Sequence, residues 1–301
     1  MSDGISNEFL LEDRLTKIRS VIGKYGEEKF CISFSGGRDS TVMHYLFDMA
    51  LPGNQIPRVF ADTGIEYNEI RKFVKQMQES DPRIVMLQPA TPIKDMLRNV
   101  GYPFCSKMHS MILERYRSHG FDSKSVVDYY ERNNSFNAYC CPNALKYQFS
   151  DSFQLKISDK CCDHLKKKPL EKFQKETGRK IHINGIMAAE GGRRSSAVCL
   201  VFQKNKLRGF HPLAPVTPAW ENWFIDTYQI PICKLYYPPY NFTRTGCKGC
   251  PFALYLQKEL ETMQTYFPAE RRQCEDIWKP VYDEYRRIGY RLKKEEQIRL
   301  V

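Results

Sequence analysis

The run Ser35-Gly36-Gly37-Arg38-Asp39-Ser40 gathers two hydroxyls, two glycines, a guanidinium and a carboxylate within six residues. Phe30 to Phe34 before it reads as a buried strand, and Thr41 to Phe47 after it has helical periodicity. A strand, a glycine-rich turn and a helix start together make an anion site. The glycines let the backbone approach the ligand, and the unpaired N–H groups of the first helical turn point at it. Ser35 and Ser40 can add hydroxyl donors, and Arg38 adds a fixed positive charge. The spacing is not that of a Walker A loop, which puts four residues between its first glycine and Gly-Lys.

Eleven cysteines form the second set of reactive groups, and the odd count rules out full pairing. In a chain expected in the cytoplasm they point to metal or redox chemistry rather than to a disulfide framework. Cys247-Lys248-Gly249-Cys250, followed by Pro251, is a CxxC pair. Such a pair serves as half of a zinc site, as a redox couple or as iron–sulfur ligands. Two adjacent pairs, Cys140-Cys141 and Cys161-Cys162, are available to complete a four-thiolate set. Neighbouring cysteines diverge unless the backbone bends, which suits a cubane cluster better than a single zinc ion. Cys31, Cys199 and Cys233 stand in apolar runs and are expected in the core.

The six-residue turn resembles the complete SGGxDS signature of the PP-loop ATP pyrophosphatases. That resemblance implies cleavage of ATP between its α and β phosphates, with adenylation of a substrate. Residues 161 to 170, Cys-Cys-Asp-His-Leu-Lys-Lys-Lys-Pro-Leu, are similar to the CCxxxKxxPL segment of the [4Fe–4S]-containing reductases of adenylyl sulfate (APS) and phosphoadenylyl sulfate (PAPS). In that family a distant CxxC completes the cluster. The resemblance therefore implies Cys161, Cys162, Cys247 and Cys250 as cluster ligands, with zinc as the main rival, and Lys166 between cluster and substrate anion. Cys140-Cys141 is then left over, expected as buried, inert thiols. Smaller matches run from about residue 28 to 252. Asp62-Thr63-Gly64 resembles the family's nucleotide-facing DTG strand end. Asn184 to Arg194, with Gly185, Glu190, Arg193 and Arg194, resembles its TGxRxxxSxxR loop. Pro212 to Thr217 with Trp223, and Pro231 to Tyr240, resemble its PLxxWT and LYxxGY segments.

Three departures bear on the reaction. Reductases of this family carry a catalytic cysteine in a C-terminal tail, whereas residues 295 to 301 hold none, and Cys274 stands in a helical stretch. Met187 stands where the family has a substrate-binding arginine. The reductases usually degrade the SGGxDS loop, and here it is intact. All three favour a pyrophosphate leaving group over sulfite. The resemblance thus implies an ATP pyrophosphatase-type enzyme coupled to sulfur transfer. Ser35, Gly36, Gly37, Asp39 and Ser40 would cradle the pyrophosphate, Asp39 would orient Mg²⁺ or cap the turn, and Arg38, Lys166, Arg193 and Arg194 would stabilise developing charge. Two alternatives stay open: a sulfonucleotide reductase releasing sulfite from APS or PAPS, and a non-catalytic nucleotide or nucleic-acid sensor. The implied partners are an adenine nucleotide, a sulfur or electron donor protein of cysteine desulfurase or thioredoxin type, and a tRNA or DNA acceptor.

These groups need a scaffold. Beyond the first strand, further strands are predicted at 58–61, 83–87, 181–186 and 197–202, with helices over 6–26, 40–50 and 66–79. The β-α-β-α-β alternation predicts an α/β fold, a doubly wound and mostly parallel sheet whose ligands bind beyond the strands' carboxyl ends. The resemblance specifies it as adenine nucleotide alpha hydrolase-like, a Rossmann-like sheet. Residues 1–253 are expected to form the nucleotide-binding domain, with a helical insertion at about 93–180, and 254–301 a helical extension. The 301 residues and 42% hydrophobic content suit a soluble globular chain with a full core. No apolar stretch is long enough to span a bilayer, and Met1-Ser2-Asp3-Gly4 is not a secretory signal, so a cytoplasmic protein with no membrane partner is expected. The net charge of +11 suits a polyanionic ligand or nucleic acid, or a solvated basic surface around one nucleotide pocket.

Overall fold

The computed structural model describes residues 6–131 and 140–294. In chain order the elements are α1 (Asn7–Tyr25), β1 (Phe30–Ser33), α2 (Arg38–Ala50), β2 (Arg58–Ala61), α3 (Asn68–Ser80), β3 (Ile84–Leu87), α4 (Ile93–Val100), α5 (Lys107–His119), α6 (Lys124–Glu131), α7 (Lys168–Thr177), β4 (Ile181–Ile183), β5 (Leu200–Gln203), β6 (Lys206–Phe210), α8 (Pro218–Thr227), α9 (Leu256–Tyr266), α10 (Pro268–Ile277) and α11 (Lys279–Ile288). Local chemistry sets several ends. Ser6 caps α1 by accepting the Phe9 N–H at 3.1 Å. Thr217 caps α8 from the Trp220 N–H, with Pro218 at the first helical position. No helix among the described residues is long and apolar enough to cross a membrane.

The chain divides into two compact units. The first comprises the described parts of residues 1–62, 68–88 and 168–245, and holds the whole sheet. Its strand order is β3-β2-β1-β4-β6-β5. Five strands run parallel, and β5 pairs antiparallel with β6 at one edge. The order reverses between β1 and β4, so the turn after β1 leaves the sheet at the switch point where such folds bind ligands. Phe30, Ile32, Val42, Leu46, Phe47, Ile183 and Phe210 are buried around β1 and α2. Cys31 and Cys233 are buried as expected, whereas Cys199 is only half-buried. Strand β6 was not expected from the sequence. Its Lys206-Leu-Arg-Gly-Phe pattern carries two charges and a glycine, and only pairing with β4 and β5 makes it a strand. The two-residue turn Lys204-Asn205, with φ of 48° and 58°, closes this hairpin, and the register shifts at Val201/Phe202.

The opposite end of β2 carries a buried Arg58, which donates to Asp48 Oδ1 at 2.7 Å, Asn54 Oδ1 at 2.7 Å and His44 Nδ1 at 3.2 Å. Arg83 pairs with Asp48 and Asp81. His44, Asp48 and Asp81 have metal-ligand spacing, but two guanidinium groups already supply the positive charge that an ion would bring.

The second unit comprises the described parts of 63–67, 89–167 and 246–301 and contains α4–α6 and α9–α11. Much of 149–160 is irregular rather than helical, tied back by a parallel bridge between Tyr102 and Ile157. Its buried His109 contacts the Tyr129 hydroxyl at 3.1 Å and Gln148 Oε1 at 2.7 Å.

Both buried histidines respond to acid. Burial holds His44, further opposed by Arg58, at about 4, and burial holds His109 at about 4, against an ordinary 6.5. The folded rings stay neutral while the unfolded chain takes up protons, so the folded state binds fewer protons between these values. Their contribution to stability is complete above about pH 6.5 and is lost as pH falls towards about 4. Urea unfolding midpoints should therefore fall between about pH 7.5 and pH 5, and His109→Gln should lessen that fall. Identical wild-type midpoints at the two pH values would contradict the sign.

Candidate functional site

In the sheet unit, β1 delivers the chain into Ser35 to Ser40. Gly36 sits at φ +66°, and a Cβ there would lie 2.5 Å from Val74 Cγ2 and 3.1 Å from Ile70 Cγ2 of α3. Glycine is required both by the left-handed backbone and by the space. Ser40 braces the turn: its Oγ accepts the Ser35 N–H at 3.1 Å, donates to the Gly37 carbonyl at 2.9 Å and lies 3.0 Å from Ser35 Oγ. Helix α2 starts at Gly37 without a side-chain cap. Its first turn therefore presents amide dipoles at the carboxyl end of the sheet. The Tyr236 hydroxyl takes the Arg38 amide and contacts Thr245 Oγ1 at 2.5 Å.

Around this turn the charges are balanced. Arg38 Nε lies 3.0 Å from Glu221 Oε2 on α8. Burial, then Glu190, push the Asp39 carboxyl up. Burial, then Asp39, push Glu221 up to about 8. Glu190 in turn pairs with Arg194 and Arg244. Gly185 follows β4, and a Cβ there would meet the Asp39 backbone at 3.3 Å, so the strand end and the helix start approach closely. The structure thus groups Ser35, Gly36, Gly37, Arg38, Asp39, Ser40, Gly185, Glu190 and Arg194. Arg193 lies in the same short turn, but its side chain is outside the described residues. Asp62 directly follows β2 and pairs with Arg71 at 2.8 Å. Asp39, Glu190 and Glu221 with Arg38, Arg194 and Arg244 make a site that can exchange an internal partner for an anion or a hydrated cation.

The second unit holds the four cysteines. Cys161 Sγ and Cys162 Sγ lie 4.0 Å apart, so the adjacent pair converges rather than diverges. The reason is local: residues 163–167 form a π-helical turn directly after the pair, which re-aims the backbone before α7. The Cys161 S–H donates to Cys162 and, with Lys107 and Lys166, pulls Cys162 down to about 6, while Cys161 is pushed up in return. Burial pushes up Cys247, and Lys166 opposes it through a hydrogen bond to that sulfur. Burial and Cys247 push up Cys250. Lys166 Nζ also lies 3.9 Å from Glu66 Oε1. Glu66 accepts the Thr63 N–H at 2.9 Å and the Thr63 hydroxyl at 2.7 Å, and Gly64 lies beside it at φ +81°. Among the described residues, the three-donor group that closes within 4.8 Å is His44, Asp48 and Asp81, not the cysteines. A zinc tetrahedron with bonds of about 2.3 Å needs every sulfur pair near about 3.8 Å. Cys161 and Cys162, at 4.0 Å, come near that spacing, and Cys247 and Cys250 act electrostatically on Cys161, so the four thiols are neighbours that could hold a metal centre.

Glu221, Arg244 and Glu66 did not stand out in the sequence, and Tyr236 stood out only within the LYxxGY match, with no role assigned. Of the first three, only Glu66 left a signal there, since Thr63-x-x-Glu66 has capping-box spacing. Glu221, Arg244 and Tyr236 reach the site from distant segments.

Residues 29–118 and 123–253 match the family model of the phosphoadenosine phosphosulfate reductase domain. A curated relative, a glutamine-hydrolysing GMP synthase of Thermosipho africanus, is 31% identical over 94 residues, which are 31% of this chain and 18% of that protein. Among solved structures the chain is similar to a phosphoadenylyl-sulfate reductase from Candida auris in a phosphate complex, with 13% identity, a TM-score of 0.45, and coverage of 82% of this chain and 98% of that one. It is also similar to the Candida glabrata FMN adenylyltransferase in complex with ATP, with 14% identity, a TM-score of 0.45, and coverage of 82% and 64%. A third likeness is to the U34-tRNA thiolase NcsA from Methanococcus maripaludis with its [4Fe–4S] cluster, with 13% identity, a TM-score of 0.40, and coverage of 93% and 81%.

Proposed function

The chain belongs to the phosphoadenosine phosphosulfate reductase domain family, and from that premise we propose that it cleaves ATP between the α and β phosphates and couples this to sulfur transfer. The observation that carries the reading is the intact turn from Ser35 to Ser40, with Gly36 in a left-handed conformation and Ser40 bracing both ends. Such a turn fits a leaving diphosphate. Ser35, Gly36, Gly37 and Ser40 cradle it through amides and hydroxyls, and the base lies at the carboxyl ends of β1 and β2, where Asp62 follows the strand. An oxygen of the acceptor attacks the α phosphorus, forming an adenylated acceptor as the bond to the α,β-bridging oxygen breaks and pyrophosphate leaves with the negative charge; the donor's sulfur then forms its bond to the acceptor as AMP leaves. Arg38 and Arg194, released from Glu221 and Glu190, move their charge onto the phosphates. Asp39 with its neighbour Glu221 would offer the oxygen ligands that Mg²⁺ prefers, and the ion would supply charge neutralisation for the leaving group.

Cys161, Cys162, Cys247 and Cys250 would hold a [4Fe–4S] cluster, which when bound supplies a place to bind or relay sulfur. Lys166 holds the Cys247 sulfur and Glu66 holds Lys166, so this pair keeps a cation over the ligand set. A cysteine desulfurase-type donor and a nucleic-acid acceptor, tRNA or DNA, complete the scheme and suit the +11 charge.

The rival reaction, sulfite release from APS or PAPS, needs a reactive thiol. Cys274 is buried in α10, and burial pushes its thiol up to about 12, so it is a poor nucleophile. We expect anaerobic protein to release pyrophosphate and AMP from ATP when acceptor and sulfur donor are present, and no sulfite from APS or PAPS with a thioredoxin-type reductant. Sulfite without pyrophosphate would reverse the assignment.

A further inference from the structure

The matched family region ends at residue 253, and the helices beyond it attend to the CxxC loop. The Lys248 carbonyl accepts Trp278 Nε1 at 3.3 Å, and the Gly249 carbonyl accepts the Tyr282 hydroxyl. The Pro251 carbonyl accepts the Tyr285 hydroxyl at 2.9 Å and Arg291 at 2.7 Å. On the donor side, the Gly249 N–H goes to Glu259 Oε1 at 3.0 Å, and that same oxygen takes the Tyr67 hydroxyl at 2.7 Å. Lys248 is buried in an ion pair with Glu270 at 2.7 Å. A surface loop would leave such carbonyls to water, whereas here Trp278, at the junction of α10 and α11, and side chains of α11 and the segment after it satisfy them. Gly249 sits at φ +60°, and a Cβ there would fall 2.5 Å from the Tyr282 hydroxyl and 2.9 Å from Cys274 Sγ. The half-buried Glu259 carboxyl also acts electrostatically on Cys250.

Resting on the four-cysteine reading above, we propose that α9–α11 are a clasp for the CxxC half of the cluster site, and that Glu259 sets the charge this half experiences. A half-buried carboxylate beside an iron–sulfur centre opposes the arrival of an electron, and hydrogen bonds around the ligands tune the potential and the hold on iron. Glu259 and Tyr282 are positioning residues: they act through Gly249 and the sulfurs on either side of it.

The test uses full-length protein purified anaerobically, read by iron and sulfide content, reduction potential and rate of iron loss to a chelator. Glu259→Gln keeps an acceptor oxygen for Gly249 and Tyr67 and removes only the charge. It should retain iron and sulfide while its potential moves positive of wild type. Glu261→Gln, an exposed position on the same helix paired with Lys293, should leave the potential where it is. An unmoved potential in Glu259→Gln protein with a full cluster overturns the charge role. Tyr282→Phe carries the second arm. It alters no charge and frees the Gly249 carbonyl, so the potential should hold while iron is lost about fivefold faster. Iron loss at the wild-type rate overturns the clasp. Wild-type protein without iron and sulfide overturns the four-cysteine reading itself, a result distinct from either variant's.

Discussion

Ser40→Ala and Gly36→Ala should each lower pyrophosphate release from ATP by about a hundredfold or more, with the far-ultraviolet circular dichroism of the wild type retained. The reasons differ. Ser40 is the brace of the turn, and its loss releases the Ser35 N–H and removes one of the three donors that hold the Gly37 carbonyl, leaving only Thr41 on it. The amides would then no longer be pre-aimed at the leaving group, and pre-aimed donors cost nothing to reorganise during reaction. Gly36→Ala leaves every hydroxyl in place but pushes a methyl into Val74 at 2.5 Å. The turn must move away from α3, and a displacement of about 1 Å in a phosphate cradle is worth about two orders of magnitude. Steady-state release measured at saturating ATP separates this from weakened binding. Variants that turn over like the wild type would mean that the cradle is not where the reaction occurs.

The second large effect concerns iron. Replacing Cys161, Cys162, Cys247 or Cys250 singly by serine should remove most of the iron and sulfide and bleach the visible absorption of anaerobically purified protein. A serine oxygen is a poor substitute for a thiolate at iron, and the cluster cannot shift to another sulfur within the same cage. Cys140→Ser and Cys199→Ser are the comparison, since the ligand set has no place for either, and both should keep the full complement. If Cys161→Ser retains its colour and iron, or if wild-type protein carries one zinc and no sulfide, the ligand assignment fails.

The sheet was legible because its strands are short apolar runs between helical patterns. Phe30 to Ser33, Arg58 to Ala61 and Ile84 to Leu87 form where the sequence put them. Helix α2 starts two residues earlier than its periodicity indicated, at Arg38, because its first turn belongs to the anion loop and carries polar side chains. Strand β6 escaped notice because its strand character comes from its neighbours, not from its own residues. The segment between 93 and 180 read as helical, yet its last third before α7 is held by the Tyr102–Ile157 bridge and by turns, which no local propensity encodes.

The reactive residues themselves were visible, since glycines, serines and cysteines at fixed spacing carry their chemistry locally. Their partners were not. Glu221 pairs with Arg38 across 183 positions of sequence, and Arg244 reaches Glu190 across 54. A glutamate in the first turn of α8 reads as an ordinary complement to the helix dipole. Glu259 likewise looks like one more charge on an amphipathic helix, and only folding shows its carboxyl accepting from Gly249 and Tyr67. Long-range electrostatic pairing is the part of a site that a linear pattern does not announce.

The irregularity between Val201 and Phe202 bears on how the molecule behaves when concentrated. It curves the outermost strand, and Lys204 and Lys206 crowd the hairpin tip with positive charge. A second copy offering its own backbone along this margin would meet a bent, repelling rim instead of a flat template. At this margin, the antiparallel strand of an otherwise parallel sheet thus offers a poor template for strand addition.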